Sequence, residues 1–163
     1  MKHLINSVVI AGMILVCVSA QGQEKDKPDT TQLPKRVMNA LTAKFPKSDV
    51  DKWTKEKEGG IFLYDIEFKQ GGEKFEADIK EDGTIHNWEK ATAAKNLPAA
   101  VRKAVEKRYP KASMKEIMEI TAVKNGKDEL EGYEIVLRTG DRKDVEVTVA
   151  PDGNMLEDSG DKK

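Results

Sequence analysis

The chain has 163 residues, of which 35% are charged, and 28 basic residues against 29 acidic ones leave a formal net charge of −1. Such a balanced charge is typical of a well-solvated surface and lacks the basic footprint that nucleic-acid binding requires. We therefore expect no nucleic acid among the partners of this protein.

Residues 1–20 have the pattern of a secretory signal peptide. A short basic start precedes an apolar run from Leu4 to Val18, and small residues precede a cleavage site after Ala20. The apolar run is too short for a transmembrane helix. The alternative is a lipid anchor on Cys17, but Val16 stands where a lipobox needs a small residue, which favours simple cleavage. The sequence thus predicts a periplasmic or secreted protein with no membrane span after signal removal.

The mature chain is expected to fold without disulfides. Cys17 is the only cysteine, so cleavage after Ala20 leaves a chain that depends on its hydrophobic core. Residues 21–32 are polar and charged and predict a flexible leader. Residues 158–163 predict a disordered tail for the same reason.

The chain between leader and tail contains one unit twice. Two motifs recur 64 residues later (97 − 33). Leu33-Pro34 corresponds to Leu97-Pro98, and Phe45-Pro46-Lys47 corresponds to Tyr109-Pro110-Lys111. Between these motifs, apolar residues step by four, which predicts one amphipathic helix in each copy. The prolines suit the first turn and the exit of a helix. The apolar ridges consist of Leu33, Val37, Leu41 and Phe45, and of Leu97, Val101, Val105 and Tyr109.

After each helix the apolar period changes from four to two. Apolar and charged residues alternate in Ile61 to Lys69 and again in Lys74 to Lys80, and the second copy has the same pattern. Strict alternation predicts antiparallel strands with one face in the core and the other in water. The predicted fold is α+β, with two tandem repeats at residues 33–90 and 97–157. Each repeat has one helix packed on a four-stranded antiparallel meander sheet, with one sheet face left open. Whether the repeats share one sheet remains open at this stage.

The motifs of the two repeats are similar to those of a known family. The first copy has Phe45-Pro46-Lys47, Trp53, Tyr64 and Asp82-Gly83 in order, and the second has Ile117 in place of the tryptophan. This order resembles the PepSY-like domain and, more narrowly, the tandem-repeat exported proteins called β-lactamase-inhibitor-like. The resemblance implies a periplasmic, non-enzymatic module that binds or inhibits a protein. It specifies a fold better than an activity.

The residue inventory favours a protein that is not an enzyme. His86 is the only histidine after the signal peptide, and Ser48, Ser113 and Ser159 stand in no nucleophile elbow. The paired glycines fit turns rather than a phosphate loop. We predict no catalytic residues, no cofactor and no histidine-based metal site.

Four carboxylates share one face of the predicted hairpin in the first repeat. Asp65 and Glu67 lie on one strand, and Glu76 and Asp78 lie on its neighbour. Such a set could hold a hard cation such as calcium or meet a basic partner. Lysines of the same strand parity offset the charge, so the pattern favours a solvated strand face. A cation or small-ligand sensor using this acidic hairpin is the alternative function.

The open sheet face is the predicted partner site. Counting alternate residues from Ile85 places His86 and Trp88 on this face, and tryptophan is frequent at binding hot spots. The alternative for Trp88 is packing at the seam between the repeats. The predicted function is a non-enzymatic periplasmic protein-binding module, with an inhibitor of a secreted or envelope enzyme as its more specific form. The sequence identifies neither the protein partner nor the oligomeric state. The predicted partner-binding residues are Trp88, His86, Leu63, Asp65, Glu67, Val136 and Arg138.

Overall fold

The computed structural model describes residues 28–161. The predicted signal peptide, its cleavage after Ala20 and the alternative anchor at Cys17 lie outside the described residues. The same holds for residues 21–27 of the predicted leader and for the last two residues of the tail.

Two helices and eight strands follow one another in the described part of the chain, joined by turns. The helices are α1 (Lys35–Lys44) and α2 (Ala99–Arg108). Neither of them is long and apolar enough to cross a membrane. The strands are β1 (Asp49–Glu58), β2 (Ile61–Gln70), β3 (Glu73–Lys80), β4 (Ile85–Ala91), β5 (Ser113–Lys124), β6 (Lys127–Arg138), β7 (Asp144–Val149) and β8 (Met155–Asp158).

The eight strands form one antiparallel sheet in chain order, from β1 to β8. The two repeats meet where β4 pairs with β5, with Trp88 opposite Thr121 and Ala91 opposite Met118. The structure is therefore α+β with two repeats, as predicted, and the repeats share one continuous sheet. The shared sheet answers the question that the sequence left open.

Each helix covers one half of the same side of the sheet. Val37 and Leu41 of α1 are fully buried over the first four strands. Val101 and Val105 of α2 are buried over the last four. Burial of each such side chain contributes about 1.5–3 kcal/mol, so these ridges hold the helices on the sheet. Each α-helix ends just before a Phe-Pro or Tyr-Pro pair, as the predicted exits require.

The repeated Asp-Gly turns are explained by contact with the helices. Gly83 has a φ of +89°, and a Cβ built there would lie 2.9 Å from the carbonyl oxygen of Arg36. Gly153 has a φ of +91°, and its Cβ would lie 2.9 Å from the carbonyl oxygen of Ala100. Both positions combine a left-handed backbone with a close approach to the first turn of a helix, which only glycine tolerates. The turns therefore help to set how each helix sits on the sheet.

Parts of the predicted leader and tail are folded. The Asp29 side chain caps a 3₁₀ turn at Thr30–Gln32. The backbone carbonyl oxygen of Asp29 accepts a hydrogen bond from Trp53 Nε1 at 3.2 Å. At the other end, Ser159–Asp161 forms a 3₁₀ turn, and Ser159 Oγ accepts from the backbone N–H of Glu146 at 2.8 Å. Both turns lie within the predicted leader and tail, and short polar side chains cap such local turns.

Candidate functional site

A β-bulge in β4 reverses the side on which Trp88 lies. Ile85 and Asn87 take consecutive partners on β3, so His86 between them has no partner there, and it is exposed. A bulge adds one residue and shifts the alternation by one position. Trp88 is therefore opposite Ala77, on the side that the helices cover. The prediction that Trp88 faces the open side was wrong.

Trp88 packs in the first core at the seam between the repeats. Its ring centroid lies 5.8 Å from that of Phe45 and 6.4 Å from that of Phe75. Lys44 Nζ lies 5.4 Å from the centroid of the indole. Across the seam, Trp88 is opposite Thr121 of the second repeat. These contacts agree with the alternative of seam packing and remove Trp88 from the partner surface.

The other predicted partner residues lie at two ends of the open face, by which we mean the side of the sheet away from α1 and α2. Leu63, Asp65 and Glu67 are on β2, and Val136 and Arg138 are on β6, all with the parity opposite to the core. Neighbouring strands lie ~4.8 Å apart, so four spacings put the two groups roughly 19 Å apart. They share a face without touching one another.

Between these two ends, part of β5 is buried on the open face. Met118, Ile120 and Ala122 are 2%, 9% and 6% exposed, although they lie on the side away from the helices. We call these three residues the central strip. The sequence reasoning did not single them out because β5 is apolar on both sides and alternates poorly. The signal that could have identified them is that β5 is apolar on both sides, whereas the other strands have one polar, solvent-facing side.

Carboxylates face one another across neighbouring strands of the open face. In three cross-strand pairs between β2, β3 and β4, an acidic residue lies directly opposite another acidic residue. Like charges in that arrangement destabilise a sheet. A further carboxylate stands beyond the central strip, on β6 opposite Met118. The acidic cluster, as we call this set, consists of Asp65, Glu67, Glu76, Asp78, Glu89 and Glu134.

Basic residues of this face contact carboxylates of the acidic cluster and of neighbouring positions. Lys52 Nζ lies 2.9 Å from Glu67 Oε1, and Lys74 Nζ lies 2.8 Å from Glu76 Oε1. Arg138 donates from Nη2 to the Asp144 carboxylate on β7 at 2.8 Å. Exposed ion pairs of this kind contribute little to stability. The Lys74 ammonium group also lies 2.7 Å from Glu116 Oε1 on β5, so it reaches across β4.

Glu89, in the middle of the cluster, is the most strongly perturbed carboxyl group of this face. Its Oε2 atom is closed off from solvent, and no hydrogen-bond partner among the described residues reaches it. Burial, followed by repulsion from Glu134 and Glu76, raises the pKa of Glu89 to about 9. The carboxyl group is therefore held protonated at neutral pH.

Two neighbours of Glu89 are shifted in the same direction. Burial and then the Glu146 carboxylate raise the pKa of Glu134 to about 8. Burial and then the Asp78 carboxylate raise the pKa of Asp65 to about 7. Burial is the first cause in each case, since both side chains are only partly exposed on the sheet.

The described residues offer little for a metal or small-ligand site. They contain no group of three or more His, Cys, Asp or Glu side chains placed to hold a metal ion. A depression of about 450 Å³ lies beside the linker between the repeats, lined in part by Lys90 and Asn96, away from the acidic hairpin. Neither observation favours the cation or small-ligand sensor.

Comparison with known families accounts for the shared motifs. The family described as "Putative beta-lactamase-inhibitor-like, PepSY-like" matches the chain twice, over residues 22–87 and 63–157. The chain belongs to this family. The match confirms the resemblance drawn from the motifs, and its two segments agree with the two repeats of the sheet. No curated protein matches the chain.

Solved structures have a similar fold. A DUF2874 family protein from Bacteroides uniformis has a TM-score of 0.59 at 15% identity, over 80% of this chain and 92% of the other. A BLIP-like protein from Bacteroides fragilis has a TM-score of 0.52 at 19% identity, over 80% and 89%. A protein from Bacteroides eggerthii, described as a putative periplasmic protein, has a TM-score of 0.55 at 13% identity, over 77% and 86%. At these identities the likeness shows the fold alone.

Proposed function

We propose that this protein is a non-enzymatic, periplasmic protein-binding module that holds its partner against the open face. The observation that carries the proposal is the one-sided cover of the sheet. Both helices pack on the same side, while the side chains of β2 and β3 on the other side remain partly accessible. Sheets with one open face offer a broad, rigid surface for a partner.

The size of the open face suits a specific protein–protein contact. Eight strands at ~4.8 Å spacing give a width of roughly 34 Å, and the eight-residue β3 gives a length of roughly 26 Å. The face therefore spans about 900 Å². A standard interface takes ~800 Å² from each partner, so one partner can use most of this face.

The composition of the open face also suits protein binding. Apolar side chains at Leu63 and Val136 alternate with charged ones along strands β2 and β6. The central strip is only 2–9% exposed, so it lies beneath the surface that a partner would meet. Interfaces commonly combine a desolvated apolar centre with charged groups that select the partner.

The more specific form of the proposal is inhibition of a secreted or envelope enzyme. The family description names inhibitor-like proteins, and one solved structure with this fold is described as BLIP-like. Another is described as periplasmic, which supports the same compartment for this chain. Inhibition would follow from the open face covering the active-site rim of the enzyme.

The test is partner capture with charge-insertion variants. The secreted chain, from residue 21 onward, is immobilised and exposed to envelope extract, and captured proteins are identified by mass spectrometry. Leu63→Arg and Val136→Arg each place a bulky charge on the open face, and the captured partner is then titrated against each purified variant. The expected result is at least about tenfold weaker binding for both, since an unpaired charge pressed into an interface costs its desolvation free energy.

Leu130→Arg is the matched control. Leu130 is 47% exposed and lies opposite Thr121, on the helix side of the sheet. It carries the same change of side chain without altering the open face, so its binding should equal that of the wild type. Equal affinities for all four proteins would refute the open face as the site. If the captured partner is an enzyme whose activity is unchanged at saturation, inhibition is refuted and binding stands.

A further inference from the structure

We propose that two copies of this chain associate by antiparallel pairing of their β1 strands, edge to edge, with Thr54 of one copy opposite Thr54 of the other. This edge is separate from the open face, so the dimer does not rest on the proposed function. A two-fold axis normal to the sheet keeps the helices of both copies on one side. The two open faces would then form one continuous surface.

The outer edge of β1 is a long strand edge that another chain can reach. In the part of the chain that the structure describes, β1 pairs with β2 along one edge, and no strand pairs with its other edge. β1 has ten residues, and residues 55–57 as well as Asp51 and Lys52 are exposed. Such an edge presents backbone N–H and C=O groups that a further strand can bind.

The equivalent edge of the second repeat is already used for strand pairing. Like β1, β5 is the first strand after a helix, and its outer edge pairs with β4 of the first repeat. Five residue pairs form this joint, from Asn87 opposite Ala122 to Ala91 opposite Met118. The repeated unit therefore pairs through this edge in its second copy, and a joint of five pairs is one that the fold uses.

A β-bulge limits which register the β1 strands can adopt. Asp51 has no partner on β2, so the regular part of β1 begins at Lys52. Backbone amide groups of successive residues point to opposite edges of a strand, so the residues that face outward share one parity. Two copies of the same edge can therefore pair only residues of the same parity. With Thr54 opposite itself, Lys52 lies opposite Glu56.

Charge complementarity selects this register within the regular part of β1. Lys52 and Glu56 meet twice in the two-fold dimer, and opposite charges across neighbouring strands stabilise a sheet. A shift in one direction places Lys55 opposite Lys55, which sets like charges against each other. A shift in the other direction places Lys52 opposite Thr54 and pairs no opposite charges. Edge lysines usually deter pairing with another chain, but in the chosen register an acid lies opposite Lys52.

The two side chains of this pair are accessible to a second copy. Lys52 Nζ lies 2.9 Å from Glu67 Oε1 of its own chain, yet the Lys52 side chain is 62% exposed. Glu56 is exposed as well. Each of them can therefore meet an opposite charge from the other copy.

The opposite edge of the sheet is less suited to pairing. β8 has only four residues, and Ser159–Asp161 then lies beside β7, where Ser159 Oγ accepts a hydrogen bond from the Glu146 N–H at 2.8 Å. Very short edge strands resist further pairing. Open rows that join β1 to β8 are therefore disfavoured, whereas pairing of β1 with β1 closes the assembly as a dimer.

The test is a charge swap of the Lys52–Glu56 pair, measured by sedimentation equilibrium at low salt on a protein of residues 21–163. The wild type should form a dimer at high protein concentration, since so short a joint has a modest affinity. Glu56→Lys and Lys52→Glu each set like charges opposite one another twice, so each should weaken association about tenfold. The double variant restores opposite charges and should associate like the wild type.

Glu106→Lys is the matched control. Glu106 is an exposed residue of α2, so this variant makes the same change of charge away from the edge and should dimerise like the wild type. Far-UV circular dichroism shows whether each protein is folded.

Cross-linking tests where the joint lies and does not depend on the folding of Lys52→Glu. Residues 21–163 contain no cysteine, so Thr54→Cys and Glu106→Cys each introduce a single thiol. A short bis-maleimide should link two copies through position 54 and not through position 106.

Several outcomes would overturn the inference. A wild type that stays monomeric up to millimolar concentration would do so, as would wild-type association of Glu56→Lys. A double variant that associates no better than the single variants would also do so. Cross-linking through position 106 but not through position 54 would place the contact elsewhere. Partner capture by the open face is measured separately, so these results leave the proposed function to its own test.

Discussion

Replacing Glu89 by glutamine is expected to stabilise the protein at neutral pH and to have little effect at acidic pH. Glutamine has the shape of a protonated carboxyl group and cannot ionise. The pKa of Glu89 is raised from 4.5 to about 9 in the folded protein. Folding therefore takes up a proton between these two pH values, and the stability of the wild type falls as the pH rises through this range.

The magnitude follows from the distance of the working pH from the ordinary pKa. Each pH unit in this range is worth ~1.36 kcal/mol. At pH 7 the difference is 7 − 4.5 = 2.5 units, which gives about 3 kcal/mol in favour of the variant. At pH 5 the same reasoning gives less than about 1 kcal/mol. Glu134 and Asp65 are present in both proteins, so the comparison isolates the charge of Glu89.

The assay is urea unfolding at pH 5, 6, 7 and 8, followed by circular dichroism. Glu89→Gln should gain stability over the wild type steadily as the pH rises, whereas Glu106→Gln should stay within about 0.5 kcal/mol of the wild type throughout, as is usual for an exposed surface position. A difference between Glu89→Gln and wild type that is the same at pH 5 and pH 8 would refute the reasoning. A destabilised variant at pH 7 would refute it as well.

Three further substitutions test the packing of the repeats. Trp88→Ala should lower the free energy of unfolding in urea by about 2–3 kcal/mol, since a half-buried aromatic ring is lost from the first core. The captured partner should bind this variant with wild-type affinity. Weakened binding by a folded variant would contradict the placement of Trp88 on the helix side. Tyr109→Phe removes the hydrogen bond from the tyrosine hydroxyl to Asp158 and should lower stability by about 1 kcal/mol, so an unchanged thermal melt would count against this contact. Gly83→Ala should lower stability by about 1–3 kcal/mol, because it strains a positive φ and forces a Cβ against the Arg36 carbonyl; a melting temperature at or above that of the wild type would contradict the close approach.

The sequence was sufficient for the features that depend on local periodicity. The four-residue apolar step located α1 and α2, because a helix needs one continuous ridge to bury. The two-residue alternation located β2 and β3 for the corresponding reason. The repeat then checked each assignment against its copy, and the Asp-Gly turns proved to be fixed by contact with the helices.

The alternation of apolar and polar residues could not by itself predict the bulge in β4. Counting by two from Ile85 assumes an unbroken strand, and one extra residue at His86 moved Trp88 to the other side. The second repeat has a register shift at the same place, next to Met155 in β8. A bulge that occurs in both copies therefore leaves no difference for a comparison of the copies to detect.

The centre of the candidate site depends on pairing between distant parts of the chain. Glu89 lies near the end of β4, which continues to Ala91 and pairs with β5 of the second repeat. That pairing joins the two repeats and brings Glu89 next to the central strip. The raised pKa of Glu89 results from this environment, which no local pattern of the sequence describes.

The most direct test of the open face as the binding surface is carboxyl labelling of the complex, read by mass spectrometry. A protein of residues 21–163 is labelled with a carbodiimide and an amine, with and without its captured partner. The account predicts that the partner protects Asp65, Glu67 and Glu134 from labelling and leaves Glu106 on α2 unchanged. Protection of Glu106 with unchanged labelling of the open face would place the partner on the helices and contradict the account.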